Sequence, residues 1–146
     1  METSFVLEIP NDLRAIERAV DLVVGRCQTC ESHARRFRLN FRVALAEALA
    51  NAMLYGNGSD PAKRVRVDVT VSASQVAARV TDQGAGFDPG AVDDPTTPEN
   101  LMKPGGRGLF LMRQLLDEVR FNDRGNSVTL VLHLHETASF DEAASA

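Results

Sequence analysis

The sequence predicts an α+β domain: a two-layer α/β sandwich whose antiparallel-rich mixed sheet carries its helices on one face. Three observations lead there. The predicted elements run strand, two helices, hairpin, long loop, helix, hairpin. Strands mostly arrive as sequential pairs, and helices are not interleaved one per strand, which argues against a doubly wound parallel sheet. The chain has 146 residues, a length suited to one domain with one core.

The elements follow in order. SFVLEIP alternates Phe5, Leu7 and Ile9 with Ser4 and Glu8, the period of a half-buried strand ending at Pro10. Asn11 is a candidate N-cap, and Leu13, Ile16, Val20, Val23 and Cys27 follow at helical spacing, so a first helix is expected from about Asp12 to Cys30. Ser32 can cap a second helix with Phe37, Phe41, Leu45, Ala48, Leu49 and Ala52 as its buried stripe. GNGSDP stops it. RVRVDVTVS places Val65, Val67, Val69 and Val71 on one face, and QVAARVTD pairs with it across a short serine turn. Regular patterning is lost from Gly84 to Gly108, a segment rich in glycine and proline. Long irregular segments in small domains are often functional. A helix begins near Gly108 with Leu109, Met112, Leu115, Leu116 and Val119 inward. VRFND and SVTLVLHLH, joined at Arg124-Gly125-Asn126, form a final hairpin. One domain is expected over residues 1–136, with a flexible tail over 137–146.

Composition narrows the function classes. The chain is 44% hydrophobic and 25% charged, with net charge -4. That balance argues against direct nucleic-acid binding or an anionic-membrane surface, either of which favours a basic field. Arg35, Arg36, Arg38 and Arg42 do cluster, as a solvated helix face or a docking patch. No apolar run reaches the roughly 18 residues of a membrane span, and no leader pattern is visible at METSFVLEIPND. A cytoplasmic location is the expectation. Cys27 and Cys30 form a CxxC. Two thiols cannot complete a four-ligand zinc site, and no preceding strand suggests a redox motif, so they read as helix residues without chemistry.

Three segments carry candidate chemistry. In EALANA, Glu47 and Asn51 lie four apart and share one side of a helix. Alone, that pair also fits a solvent-facing polar stripe. In TDQGAGFDPG, Asp82 ends a strand and Gly84 and Gly86 follow. It can be an Asx turn, or Asp82 can accept a hydrogen bond from a ligand amine while the glycines admit close backbone approach. In KPGGRGLFLM, glycines run into a helix start, where backbone N–H groups and the dipole favour an anion and Arg107 adds charge. A Walker A motif and a Rossmann fingerprint are both absent.

Taken together, these segments resemble the GHKL (Bergerat) ATP-binding superfamily of histidine kinases, gyrase and MutL. EALANA is similar to its N box, DQGAGFD to its first glycine box and GGRGLFLM to its second. Within it, EAxxNAxxxGN, DxGxGFDP and GxGLxLMRxLxDEV look like the stand-alone anti-sigma factor/serine kinases of the RsbW and SpoIIAB type. The likeness spans Ser4 to His135. It implies Asn51 as the Mg²⁺ ligand, Glu47 as general base and Asp82 as the partner of the adenine amine. Gly84 and Gly86 would lie beneath the base. Gly106, Arg107, Gly108 and Leu109 would line the phosphates, and Thr129 would sit near adenine. Residues Pro89 to Pro104 match the ATP lid. Tyr55 departs from the His common in close relatives, and the lid holds Lys103 as its only cation.

The resemblance further implies a serine-protein kinase using ATP and Mg²⁺. No histidine-kinase dimerisation helix with a phosphorylatable His and no transducer domain is seen, and His33 reads as an exposed helix residue. The expected partners are a STAS-domain antagonist, phosphorylated on serine, and a sigma factor held in its place. A homodimer is expected by family likeness. The alternative is an ATP-binding switch that transfers no phosphate and regulates a partner such as a phosphatase. Retention of Glu47 favours the kinase.

Overall fold

The computed structural model describes residues 2–27, 37–85 and 106–134. Strand β1 (Thr3–Pro10) leads through a 3₁₀ turn (Leu13–Ala15) into α1 (Ile16–Arg26). Helix α2 (Arg42–Asn51) is flanked by wider π-type turns at Phe37–Phe41 and Ala52–Gly56. Then come β2 (Arg64–Val71), β3 (Gln75–Thr81), α3 (Gly106–Leu115), β4 (Glu118–Phe121) and β5 (Ser127–His133). The Ser32 cap, Cys30, His33, Arg35, Arg36, Gly86, the lid and the tail lie outside the described residues.

The five strands form one sheet in the order β1-β2-β3-β5-β4. All four pairings are antiparallel, which completes the antiparallel-rich expectation. Alternation sets the faces. Val65, Val67, Val69 and Val71 are buried, and register places Val76, Ala78 and Val80 of β3 on the same side. Leu132, Leu130 and Val128 of β5 continue that apolar face. Helices α1, α2 and α3 cover it, through Val20 and Val23, through Phe41, Leu45 and Leu49, and through Leu109 and Met112. The opposite face is polar: Asp68 meets both Arg66 and Arg79 there.

Three local expectations shift. Val119, expected inward on the last helix, lies in β4 opposite Leu130, because that helix ends at Leu115. Asn11 is not the helix cap. Asp12 caps the 3₁₀ turn that leads into α1, its carboxylate accepting the Arg14 N–H at 2.9 Å, while Asn11 Nδ2 donates to the Asp60 carbonyl at 2.9 Å. The last hairpin turns one residue pair earlier than Arg124. Asn122 Oδ1 accepts from Gly125, Asn126 and Ser127 N–H groups, and Gly125 takes φ 78°.

The helix α2 exit needs left-handed backbone at two successive positions, Gly58 (φ 59°) and Ser59 (φ 60°). A Cβ on Gly58 would meet nothing within 4 Å, so only the conformational penalty counts. Gly58→Ala is therefore expected to cost about 1 kcal/mol of stability, read as a lower urea midpoint with unchanged slope.

Candidate functional site

Helix α2 is the spine of the site. Ala44, Leu45, Ala48 and Leu49 bury its inner side. Glu47 and Asn51, one turn apart, are each half-buried at its flank. Helix α3 packs against α2, and two contacts set its direction. Asn40 Nδ2, just before α2, donates to the Leu115 carbonyl at the end of α3 at 3.1 Å. Gly108, near the start of α3, lies against the other end. A Cβ built on Gly108 would fall 2.9 Å from Glu47 Oε2 and 3.0 Å from Asn51 Nδ2. The helices are thus antiparallel, and the N-terminal turn of α3 abuts the carboxylate and the carboxamide. Glycine is the residue that allows this approach.

Further along the same spine, the π-type turn delivers Gly56 to Asp82. A Cβ on Gly56 would lie 2.2 Å from Asp82 Oδ2, and one on Gly84 only 1.8 Å from the Gly56 carbonyl. Asp82 closes β3: its N–H donates to the Asn126 carbonyl at 2.9 Å, and its Oδ1 accepts the Gly84 N–H at 2.8 Å. Burial pushes the Asp82 carboxyl above the ordinary aspartate range, against the Gly84 hydrogen bond and the positive charges of Lys63 and Arg124, which pull it down.

The tight fit at Gly84 gives a direct test. Gly84→Ala forces its methyl into a backbone carbonyl, an overpacking that is expected to cost about 1–3 kcal/mol. Thermal unfolding of the variant beside the wild type measures it.

Glu47, Asn51, Gly108, Asp82 and Gly84 therefore converge along α2, at its α3 side and its C-terminal end. Gly106 opens α3, one turn from these groups, and Arg107 follows it in the same turn. Leu109 sits in the hydrophobic core at 4% exposure, so its side chain faces away from any ligand there. Thr129 does not join the group. It alternates with the core-facing Val128 and Leu130 and stands between Arg79 and Arg120 in register, on the sheet face away from the helices. Gly86 lies outside the described residues.

Residues passed over in the sequence complete the surroundings: Gly56, Asn57, Asn126 and Ser127. Ser127 is buried, its hydroxyl 3.0 Å from that of Thr81 beside Asp82. The doublet Gly56-Asn57 closes the EAxxNAxxxGN likeness and is the signal for these two residues in the sequence.

On its other side, Glu47 borders an open groove between α1 and α2, lined by Leu13, Ile16, Val20, Val43 and Ala46. Glu47 thus both meets the α3 N-terminus and borders this groove.

The donor set suits a nucleotide with a hard divalent ion. An amide oxygen such as that of Asn51 is a hard ligand. Among the described residues no group of three or more His, Cys, Asp and Glu could by itself hold a metal ion. The absence of a Cβ at Gly108 lets the first turn of α3 pack directly against Glu47 and Asn51, and backbone N–H groups at a helix N-terminus favour an anion.

The family model for the histidine kinase-like ATPase domain matches residues 9–132. The serine-protein kinase RsbW of Listeria monocytogenes serotype 4a (strain HCC23) is 26% identical over 73% of this chain and 72% of its own. The RsbW protein of Bacillus licheniformis is 32% identical over 66% of this chain and 64% of its own. The anti-sigma F factor of Anoxybacillus flavithermus is 28% identical over 64% and 67%.

Proposed function

Because the chain belongs to the histidine kinase-like ATPase domain family, we propose that it is an ATP-dependent anti-sigma factor and serine-protein kinase. In this reading it phosphorylates a STAS-type antagonist on serine and sequesters a sigma factor when that antagonist is not engaged. One observation carries it: Gly108 of the second glycine segment lies against both Glu47 and Asn51. A base candidate, a metal-ligand candidate and an anion-binding helix start meet at one point.

Bound Mg-ATP supplies the transferable phosphoryl group and the charge that offsets its oxygens. The residues of the chain do the rest. Asp82 accepts a hydrogen bond from the adenine amine at the end of β3, with its carboxylate held by the Gly84 N–H. Asn51 offers its amide oxygen to Mg²⁺. The first turn of α3, from Gly106 through Gly108, presents N–H groups to the phosphates. Glu47 takes the proton of a serine hydroxyl arriving by the α1–α2 groove. A half-buried carboxylate with an open side suits that task, because it can both meet a protein substrate and release the proton to water.

The names of the relatives in Listeria, Bacillus and Anoxybacillus support this reading, as does the retained Glu47. No described helix is long and apolar enough to cross a membrane. The partner-switching scheme also fits a homodimer in the cytoplasm. The test is transfer of labelled phosphate from ATP to a serine of a STAS-domain protein. Nucleotide binding with no transfer would instead establish the non-catalytic switch.

A further inference from the structure

We propose that Asn57 is the positioning residue of the base-recognition turn, locking Asp82–Gly84 to the end of α2 and so setting preference for an adenine nucleotide over bare triphosphate. The inference rests on the nucleotide reading above.

Asn57 and Ser127 are the two buried polar residues among those described, and Asn57 is the more enclosed at 2% exposure. A carboxamide is costly to bury unless every polar atom is matched. Here each is matched, and the partners lie on three separate pieces of chain. Its Oδ1 accepts the Gln83 N–H at 2.7 Å. Its Nδ2 donates to Asn11 Oδ1 at 3.1 Å and to the Arg64 carbonyl at 3.0 Å. Its own N–H closes the π-type turn on the Ala52 carbonyl at 2.7 Å. The end of β1, the start of β2 and the turn after β3 thus meet on one side chain, and its backbone N–H ties it to the exit of α2.

The grip on the turn is specific. Gln83 is the residue between Asp82 and Gly84, and its N–H is spent on Asn57. Its side chain returns the contact, Gln83 Oε1 accepting the Arg64 N–H at 2.6 Å. Beside this clamp, Gly56 packs directly on the Asp82 carboxylate and Gly84 on the Gly56 carbonyl. The pair Gly56-Asn57 therefore fixes both the position of the carboxylate and the path of the backbone that holds it. Asn11 steadies the post from behind, through the Asp60 carbonyl.

The consequence is functional because α2 carries both halves of the site. Glu47 and Asn51 face the α3 N-terminus, and Asn57 holds the base turn one turn beyond the helix end. The spacing between base recognition and phosphate binding is thereby a property of one rigid element. Loosening Asn57 frees Asp82 to drift while the phosphate end stays in place.

The experiment is calorimetric titration of Mg-ATP and of magnesium tripolyphosphate into wild type and Asn57→Ala. Expected is a loss of about tenfold or more in ATP affinity, the scale of one lost fixed hydrogen bond in a binding site, with tripolyphosphate affinity unchanged. Equal losses for both ligands would show a merely structural role, and an unchanged ATP affinity would remove the role altogether. Asn57→Asp keeps the acceptor for Gln83 and loses the donors, so it should lose less ATP affinity than Asn57→Ala; an equal or greater loss counts against the proposal. Wild-type hydrogen exchange reads the same contact without substitution. The Gln83 amide should be protected although its side chain is exposed, and rapid exchange there overturns the proposal. Wild-type protein that binds neither ligand would overturn the nucleotide reading first, and this inference with it.

Discussion

Glu47→Ala is expected to reduce phosphoryl transfer to the partner serine by about 10²–10⁴-fold, the range for loss of a positioned general base. ATP affinity should stay within about threefold of wild type, because the carboxylate is assigned to the hydroxyl and not to the nucleotide. The geometry motivates the split. Glu47 Oε2 would lie 2.9 Å from a Cβ on Gly108, and the same side chain borders the α1–α2 groove. In the proposed reading it links the first turn of α3 to the groove by which a protein substrate would arrive. Glu47→Gln preserves that packing and removes only the basicity, so it should match the alanine variant in transfer rate. Single-turnover transfer with labelled ATP, beside equilibrium nucleotide titration, separates the two quantities. A Glu47→Gln protein that transfers at the wild-type rate would end the assignment of Glu47 as base.

Asp82→Asn is expected to weaken ATP binding by about 2–3 kcal/mol, roughly a hundredfold, as befits a hydrogen bond to a charged acceptor. The fold should respond in the opposite sense. Burial holds the Asp82 carboxyl above its ordinary range, so the folded chain binds a proton there more tightly than the unfolded chain does. The resulting cost to stability is fully present above the raised value. It is relieved as pH falls through that value toward the ordinary aspartate range. An amide carries no such cost and still accepts the Gly84 N–H. The variant should therefore melt at or above the wild-type temperature at neutral pH, and lose this part of the stabilisation on mild acidification. A variant that is less stable at pH 7 and shows the same acid response would refute the physical account of Asp82. An unaltered ATP affinity would refute its role.

Much of the fold was legible because its signals are local. The strict alternation of Val65, Val67, Val69 and Val71 requires a strand with one buried face, and β2 has it. The helical spacing of Phe41, Leu45, Ala48 and Leu49 requires a buried stripe, and all four are buried. Asn11 shows where local reasoning stops. Its sequence position suits a cap, yet it is recruited by carbonyls more than forty residues away. Thr129 shows a second limit. Family likeness suggests a Thr near adenine on this strand, but the side chains of a strand alternate, and Val128 and Leu130 take the inward places. Gly56 and Asn57 show a third. A glycine and an asparagine after a helix satisfy ordinary termination chemistry, so nothing local marks them as contacts of Asp82 and Gln83.

The sequence by itself determined the elements, their buried faces and the chemistry available: a carboxylate and a carboxamide one helical turn apart, an aspartate at a strand end, and glycines at the start of a helix. Those follow from periodicity and side-chain type, which a chain carries wherever it goes. Only the tertiary structure decided which glycine meets which polar group. Gly108 reaches Glu47 and Asn51 because α3 packs antiparallel to α2, and Gly56 reaches Asp82 because the sheet brings β3 beneath the helix exit. Such contacts are fixed by close packing between segments distant in sequence, where a single methyl group is too large to fit.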